Sequence, residues 1–190
     1  MGCDKAFLKI GGQTLLARQI QIARAAGAAE IFISGRGDVD YSASGCRVLT
    51  DKFPDAGPLA GIERALAAMT APLLLVLAVD LPAMNADFLR QLIKVSSENH
   101  GVVPRVNGNF EPLAALYPQA AQPIASAMLN QKSFAVKNFA ARCEQASLVS
   151  CVDVSEIDAK FFLNCNSPAD LDFVRSKSGG VLPHSKRPTH

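Results

Sequence analysis

Leu73-Leu74-Leu75-Val76-Leu77-Ala78-Val79-Asp80-Leu81-Pro82 is the stretch from which the fold is read. Its first seven residues are all apolar, so a strand made from them has no polar face. Both faces then need cover, as at the centre of a parallel sheet flanked by helices. The longest apolar run, Ala71 to Val79, is far short of the ~20 residues that span a bilayer. Asp80 ends it abruptly, and in open α/β sheets ligands bind beyond the carboxyl ends of the strands. A carboxylate held there by a rigid strand suits Mg²⁺, which favours one or two carboxylates completed by phosphates and water. A turn or helix-capping role ahead of Leu81-Pro82 suits it as well, and the pattern alone leaves both readings open.

Upstream, Thr14 is placed to cap a helix running to about Ala26, with Gly27 placed to end it. Leu15, Leu16, Ile20, Ile22 and Ala23 favour one face of that helix. Glu30-Ile31-Phe32-Ile33 reads as a short buried strand closed by the turn-rich Ser34-Gly35-Arg36-Gly37. Arg47-Val48-Leu49 is a second strand, ending at Thr50-Asp51. Pro58 suits the first position of a helix through Met69, with Leu59, Ile62, Leu66 and Met69 inward. Downstream, Asn85 caps a helix whose apolar face is Phe88, Leu89, Leu92 and Ile93. Helices and strands alternating in this way make an α/β fold with crossover helices.

From Gly101 the style changes. Val102 to Val106, the turn Asn107-Gly108-Asn109 and Phe110 to Tyr117 predict two antiparallel strands. Helical segments follow at 119–130 and 133–142, strands at 147–152 and 161–163, and a helix from Ser167 to about Arg175. No repeat or linker divides the 190 residues, a length that suits one domain, placed at 1–175. Residues 176–190 read as a disordered basic tail.

Hydrophobic residues make up 49% of the chain, enough for a real core. The formal charge of +2 belongs to the end of the chain, where Arg175, Lys177, Lys186 and Arg187 stand with no acid. Setting those four aside leaves 15 basic against 17 acidic residues, which is not the footprint of a nucleic-acid binder. The five cysteines show no CxxC spacing and read as reduced thiols. Asp4 and Lys5 interrupt any apolar leader. The expectation is a soluble cytoplasmic protein that engages neither membrane nor nucleic acid.

Three further groups are candidates for chemistry. Gly57-Pro58-Leu59-Ala60-Gly61 brings backbone amides to a helix start, where they suit a phosphate or base, although helix entry needs no ligand. Lys5 offers a positive charge to a phosphate, or is simply solvated. Asn164 and Asn166 lie two apart, on the same side of an extended segment, suited to grip a polar ligand or to cap the helix at Ser167. No Ser/His/Asp or Cys/His nucleophile arrangement is visible.

Taken in order, Met1-Gly2-Cys3-Asp4-Lys5-Ala6-Phe7-Leu8, Arg47-Val48-Leu49-Thr50-Asp51, Gly57-Pro58-Leu59-Ala60-Gly61, Val79-Asp80-Leu81-Pro82, Phe110-Glu111-Pro112-Leu113-Ala114-Ala115-Leu116-Tyr117 and Phe162-Leu163-Asn164-Cys165-Asn166-Ser167-Pro168 resemble the molybdenum cofactor guanylyltransferases. The resemblance implies a single-domain, Rossmann-like three-layer α/β/α nucleotidyltransferase fold, its sheet mostly parallel with an antiparallel portion. It implies a Mg²⁺-dependent enzyme that joins GMP from GTP to molybdopterin and releases pyrophosphate. By matching position, Lys5 contacts the nucleotide phosphates, Asp80 holds Mg²⁺ together with GTP, and Asp51 is a further GTP contact. Asn164 and Asn166 lie towards the pterin, Gly57 and Gly61 frame the nucleotide, and molybdoenzymes are possible recipients of the product.

Family members open with a strand and a Leu-Ala-Gly-Gly-x-Ser-x-Arg-Met-Gly pattern, and here Met1-Gly2 coincide with its last two residues. The expectation is that about twenty residues, holding a first strand and a phosphate-cradling loop, are missing, so that Met1 is an internal methionine or the chain a fragment. If Met1 is the true start, weak or absent activity is expected. Transfer of CMP instead of GMP, and a catalytically inactive nucleotide- or molybdopterin-binding module, are the alternatives.

Overall fold

The computed structural model describes residues 5–35, 37–50, 53 and 55–164. The expected helix from Ser167 and the basic tail lie outside them, as do Asp51 and Asn166.

Local signals set the helix ends. A hairpin of β1 (Lys9–Ile10) and β2 (Gln13–Thr14) turns through Gly11 and Gly12, both at positive φ. The Thr14 hydroxyl then accepts the Ala17 N–H and starts α1 (Leu15–Ala26), which Gly27 ends at φ 106°. Strands β3 (Phe32–Ser34) and β4 (Arg47–Leu49) pair in parallel. The first of these lies two residues later than Glu30 would place it. Next comes α2 (Pro58–Ala68), with Pro58 in its first turn and Leu59, Ile62, Leu66 and Met69 all buried. The leucine run forms β5 (Leu73–Leu77), and Asn85 caps α3 (Ala86–Val95) by accepting the Phe88 N–H at 2.8 Å.

The second half builds the rest of the main sheet. β6 (Gly101–Val106), β7 (Asn109–Phe110) and β8 (Ala114–Pro118) are antiparallel neighbours, with Asn107 and Gly108 both at positive φ in the first turn. Helices α4 (Gln122–Asn130) and α5 (Val136–Gln145) lead to β9 (Val149–Asp153), parallel to β6. The main sheet has the order β5-β8-β6-β7, with β9 also on β6. Strands β5, β6 and β9 therefore share one direction, and β7 and β8 run against it.

Alternation along the strands separates two cores. Val103, Ala115 and Tyr117, with Leu74 and Val76, face α2, α4 and α5. Val102, Ala114 and Leu116, with Leu73, Leu75 and Leu77, face α3 and the end of α1. This is the three-layer α/β/α arrangement, and it covers both faces of the leucine run as its composition demands. Buried Glu63 on α2 is satisfied by Gln122 Nε2 and Ser126 Oγ of α4, each at 2.8 Å, so its carboxylate joins two helices. Among the described residues no helix is long and apolar enough to cross a membrane.

Four expectations need correction. Residues 161–163 are not a strand but the end of a 3₁₀ turn, Asp158–Phe162, and its consecutive Phe161 and Phe162 both pack against Phe88. Successive residues of a strand point to opposite faces, so a strand could not bring both rings to one partner. Residues 133–135 are outside the helix expected from 133, because the chain is still closing α4 there. Ser133 N–H returns to the Met128 carbonyl and Lys132 takes φ 55°. Phe110 to Tyr117 is broken into two strands at Glu111, whose N–H bonds the Pro104 carbonyl. Ile93 is exposed rather than inward.

Gly101 marks how tightly β6 lies on its neighbour: a Cβ there would sit 2.0 Å from the Leu116 carbonyl oxygen. Gly101→Ala is expected to destabilise the protein by about 3 kcal/mol, read as a fall in the denaturant midpoint. An unchanged midpoint would contradict this packing.

Candidate active site

At the carboxyl end of β5, Asp80 meets Lys5, which opens the 3₁₀ turn Lys5–Phe7; Lys5 Nζ lies 3.9 Å from Asp80 Oδ2. Both side chains are open to solvent, Lys5 at 46% and Asp80 at 25% exposure, so the contact juxtaposes two charges and contributes little stability. A cation and a carboxylate brought from 75 positions apart to one strand end suit a phosphate-bearing ligand better than they suit the fold.

The turn after Asp80 is held from α1. Arg18 Nε donates to the Pro82 carbonyl at 3.0 Å and Gln19 Nε2 donates to the Leu81 carbonyl at 2.8 Å. These two residues fix the backbone that carries Asp80. Sequence reading missed them, because in the helical pattern they look like ordinary polar positions.

Beside β5 the molecule opens. A cleft of about 660 Å³ runs between β3 and β5, floored by α1 and α2 and lined in part by Ile33, Ser34, Gly61, Leu75, Leu77 and Asp80. Among the described residues β5 pairs only with β8 and β3 only with β4, so each leaves an edge towards this cleft. Hydrogen bonds at the two ends of β5 identify which groups face it. Ala78 N–H bonds the Leu113 carbonyl and Gln119 N–H bonds the Pro72 carbonyl. In an antiparallel ladder such pairs alternate, so the even residues of β5 face β8, and the backbone groups of Leu73, Leu75 and Leu77 face the cleft. For that reason every residue of β5 is half-buried although both its faces are covered. Gln19, only 5% exposed, adds a second sign: the residue lines the cleft, and its buried Oε1 has no hydrogen-bond partner among the described residues.

The other candidates divide. Gly61 is buried within α2 on the cleft, and Ser34, the last residue of β3, lines it as well. Gly57, at φ 67°, is the residue before α2 and is exposed, outside the cleft lining. Asn164 is exposed and does not line the cleft. It lies two residues after Phe162, which packs on Phe88 in the cluster that also holds Leu81 and the odd residues of β5. Asp51, Asn166 and Arg36 lie outside the described residues. Burial raises the Cys143 thiol to about 12 and the Cys151 thiol to about 11, so neither is a thiolate nucleophile at neutral pH.

Residues 1–150 match the family model described as the MobA-like NTP transferase domain. The chain belongs to this family. As a MobA-like NTP transferase it is a nucleotidyltransferase. It is 36% identical over 180 residues to a probable molybdenum cofactor guanylyltransferase of Opitutus terrae, an alignment covering 93% of this chain and 89% of that protein. A relative of the same name from Pelotomaculum thermopropionicum is 29% identical, with 90% and 83% covered. Among solved structures, molybdopterin-guanine dinucleotide biosynthesis protein A of Archaeoglobus fulgidus superposes with a TM-score of 0.71 over 95% of this chain and 93% of that one, at 18% identity. The 2-C-methyl-D-erythritol 4-phosphate cytidylyltransferase of Thermus thermophilus gives 0.69 over 92% and 93%, at 19% identity. Both likenesses bear on the fold, which is the α/β fold of nucleotidyltransferases.

The open edge makes an exchange pattern. In this 190-residue MobA-like chain, the amides of Leu73, Leu75 and Leu77 are expected to exchange with deuterium at least tenfold faster than those of Leu74 and Val76. Equal protection of the two sets by NMR would mean that the edge is paired.

Proposed function

We propose that this chain transfers GMP from GTP to the terminal phosphate of molybdopterin with release of pyrophosphate. The observation that carries the reading is the Lys5–Asp80 juxtaposition at the end of β5, in a chain whose relatives are named as guanylyltransferases.

The chemistry asks for positioning and for charge compensation. A phosphate oxygen of molybdopterin attacks the α-phosphorus of GTP in line. The new P–O bond forms as the bond to the bridging oxygen breaks, and that oxygen leaves with pyrophosphate. Lys5 offsets negative charge on the phosphates as it accumulates on the leaving group. Asp80 offers a hard carboxylate oxygen, partly exposed and fixed by the strand and by the Gln19 and Arg18 contacts behind it, which fits Mg²⁺. Bound there, Mg²⁺ would supply positive charge between the carboxylate and the phosphates. Gly61 and Ser34, on the cleft walls, leave room for the nucleotide, with Asp51 and the exposed Gly57 as further nucleotide contacts. Asn164 and Asn166 are assigned to the pterin side.

The cleft supports a second part of the reading. We infer that the working enzyme holds one more extended strand between β3 and β5, ending in the glycine-rich anion loop that the family resemblance implies. The free edge groups of Leu73, Leu75 and Leu77 would pair with such a strand, and a donor from it would satisfy Gln19 Oε1.

The test is GTP binding by calorimetry with Mg²⁺, for this chain and for a version extended upstream by the strand and loop. The extended protein is expected to bind GTP in preference to CTP, Asp80→Ala to abolish the Mg²⁺-dependent part, and Lys5→Ala to lower turnover on the order of 100-fold. A folded extended protein that ignores GTP would overturn the assignment. Binding of CTP in its place would move the activity to CMP transfer.

A further inference from the structure

The Lys5 turn rests on one aromatic ring. Tyr41 is buried in a small cluster with Ala6, Ile20 and Ile33, separate from the two main cores. Phe7, two residues after Lys5, stacks on the Tyr41 ring with centroids 5.9 Å apart and planes 20° from parallel. The edge of the same ring presses on the backbone just after β3, so that a Cβ at Gly35 would lie 2.3 Å from Tyr41 Cε2 and 2.8 Å from Cδ2. Gly35 follows Ser34, which lines the cleft. One side chain therefore touches both the turn that carries Lys5 and the turn at the carboxyl end of β3, and neither contact is made to a reacting atom.

We propose that Tyr41 is a positioning residue of the nucleotide site: its ring sets the Lys5 turn against Asp80 and fixes the height of the Ser34-Gly35 turn on the opposite wall. The proposal rests on the guanylyl-transfer reading for its functional consequence, and on geometry alone for its structural one. The stacking and the close approach are both made by the ring. Leucine keeps apolar bulk without a flat ring to stack on Phe7. Gly35→Ala leaves Tyr41 in place and displaces its ring.

Two readouts separate this role from general stability. The first is exchange at the Leu8 amide, which closes the Lys5 turn by donating to the Lys5 carbonyl at 3.1 Å. Tyr41→Leu and Gly35→Ala are expected to raise its exchange about tenfold relative to Val102 and Leu116 of the main sheet. The second is a double-mutant cycle in the upstream-extended enzyme. Tyr41→Leu alone is expected to lower kcat about tenfold, and in the Lys5→Ala background to lower it no further, because its effect passes through Lys5. Unchanged Leu8 exchange in Tyr41→Leu would overturn the positioning role. So would the same tenfold loss with and without Lys5, which would mark Tyr41 as merely structural. If the wild-type enzyme does not turn over GTP, the guanylyl-transfer reading fails, and Leu8 exchange by itself decides whether Tyr41 sets the Lys5 turn.

Discussion

Among the described residues strand β5 is paired along one edge only, and the rest of the site depends on that asymmetry. Antiparallel pairing with β8 fixes its register over Leu73 to Leu77, and helices cover both faces, so its carboxyl end is placed with the stiffness of a core element. Asp80 inherits that stiffness. The opposite edge is left facing a cleft whose far wall is β3, and a sheet edge with unpaired backbone groups is normally paired, covered or charged. Here it is apolar and half-open, and the strand proposed to lie between β3 and β5 rests on that feature.

Charge and packing are divided cleanly around that end. Stability is carried by apolar layers away from the site, among them Leu59, Leu66, Tyr117, Met128 and Phe139 on one face of the sheet. The Lys5–Asp80 pair at the site is open to solvent and contributes little to folding. Between these two regimes stand side chains that hold backbone: Arg18 by its contact to the Pro82 carbonyl, Gln19 to Leu81, and Tyr41 against Gly35. Such residues turn a rigid sheet into a rigid site.

How much of this was legible depended on the distance over which each residue acts. Thr14, Gly27, Pro58 and Asn85 cap or start helices through bonds to near neighbours, and all four stand where the pattern puts them. The leucine run announced two covered faces because alternation is a local property. Phe161 and Phe162 misled because their apolar character was satisfied by one distant ring, Phe88, and this required a 3₁₀ turn. At the site, Asp80 stood out by its position after an apolar strand, and Lys5 through the family resemblance. Arg18 and Gln19 gave no signal, since their partners lie 64 and 62 residues away. The half-burial of β5 was likewise hidden, because composition reports which faces need cover and not which edge is paired.

The proposed function rests on a phosphate-compatible cation and a metal-compatible carboxylate at the end of one strand, in a chain that belongs to the MobA-like NTP transferases. The most direct measurement is mass analysis of the products when the upstream-extended enzyme is incubated with Mg²⁺, GTP and molybdopterin. The account predicts molybdopterin heavier by one GMP unit and one pyrophosphate released for each, with neither formed when GTP is omitted. Pyrophosphate without a molybdopterin conjugate, or a conjugate formed only with another nucleotide, would contradict it.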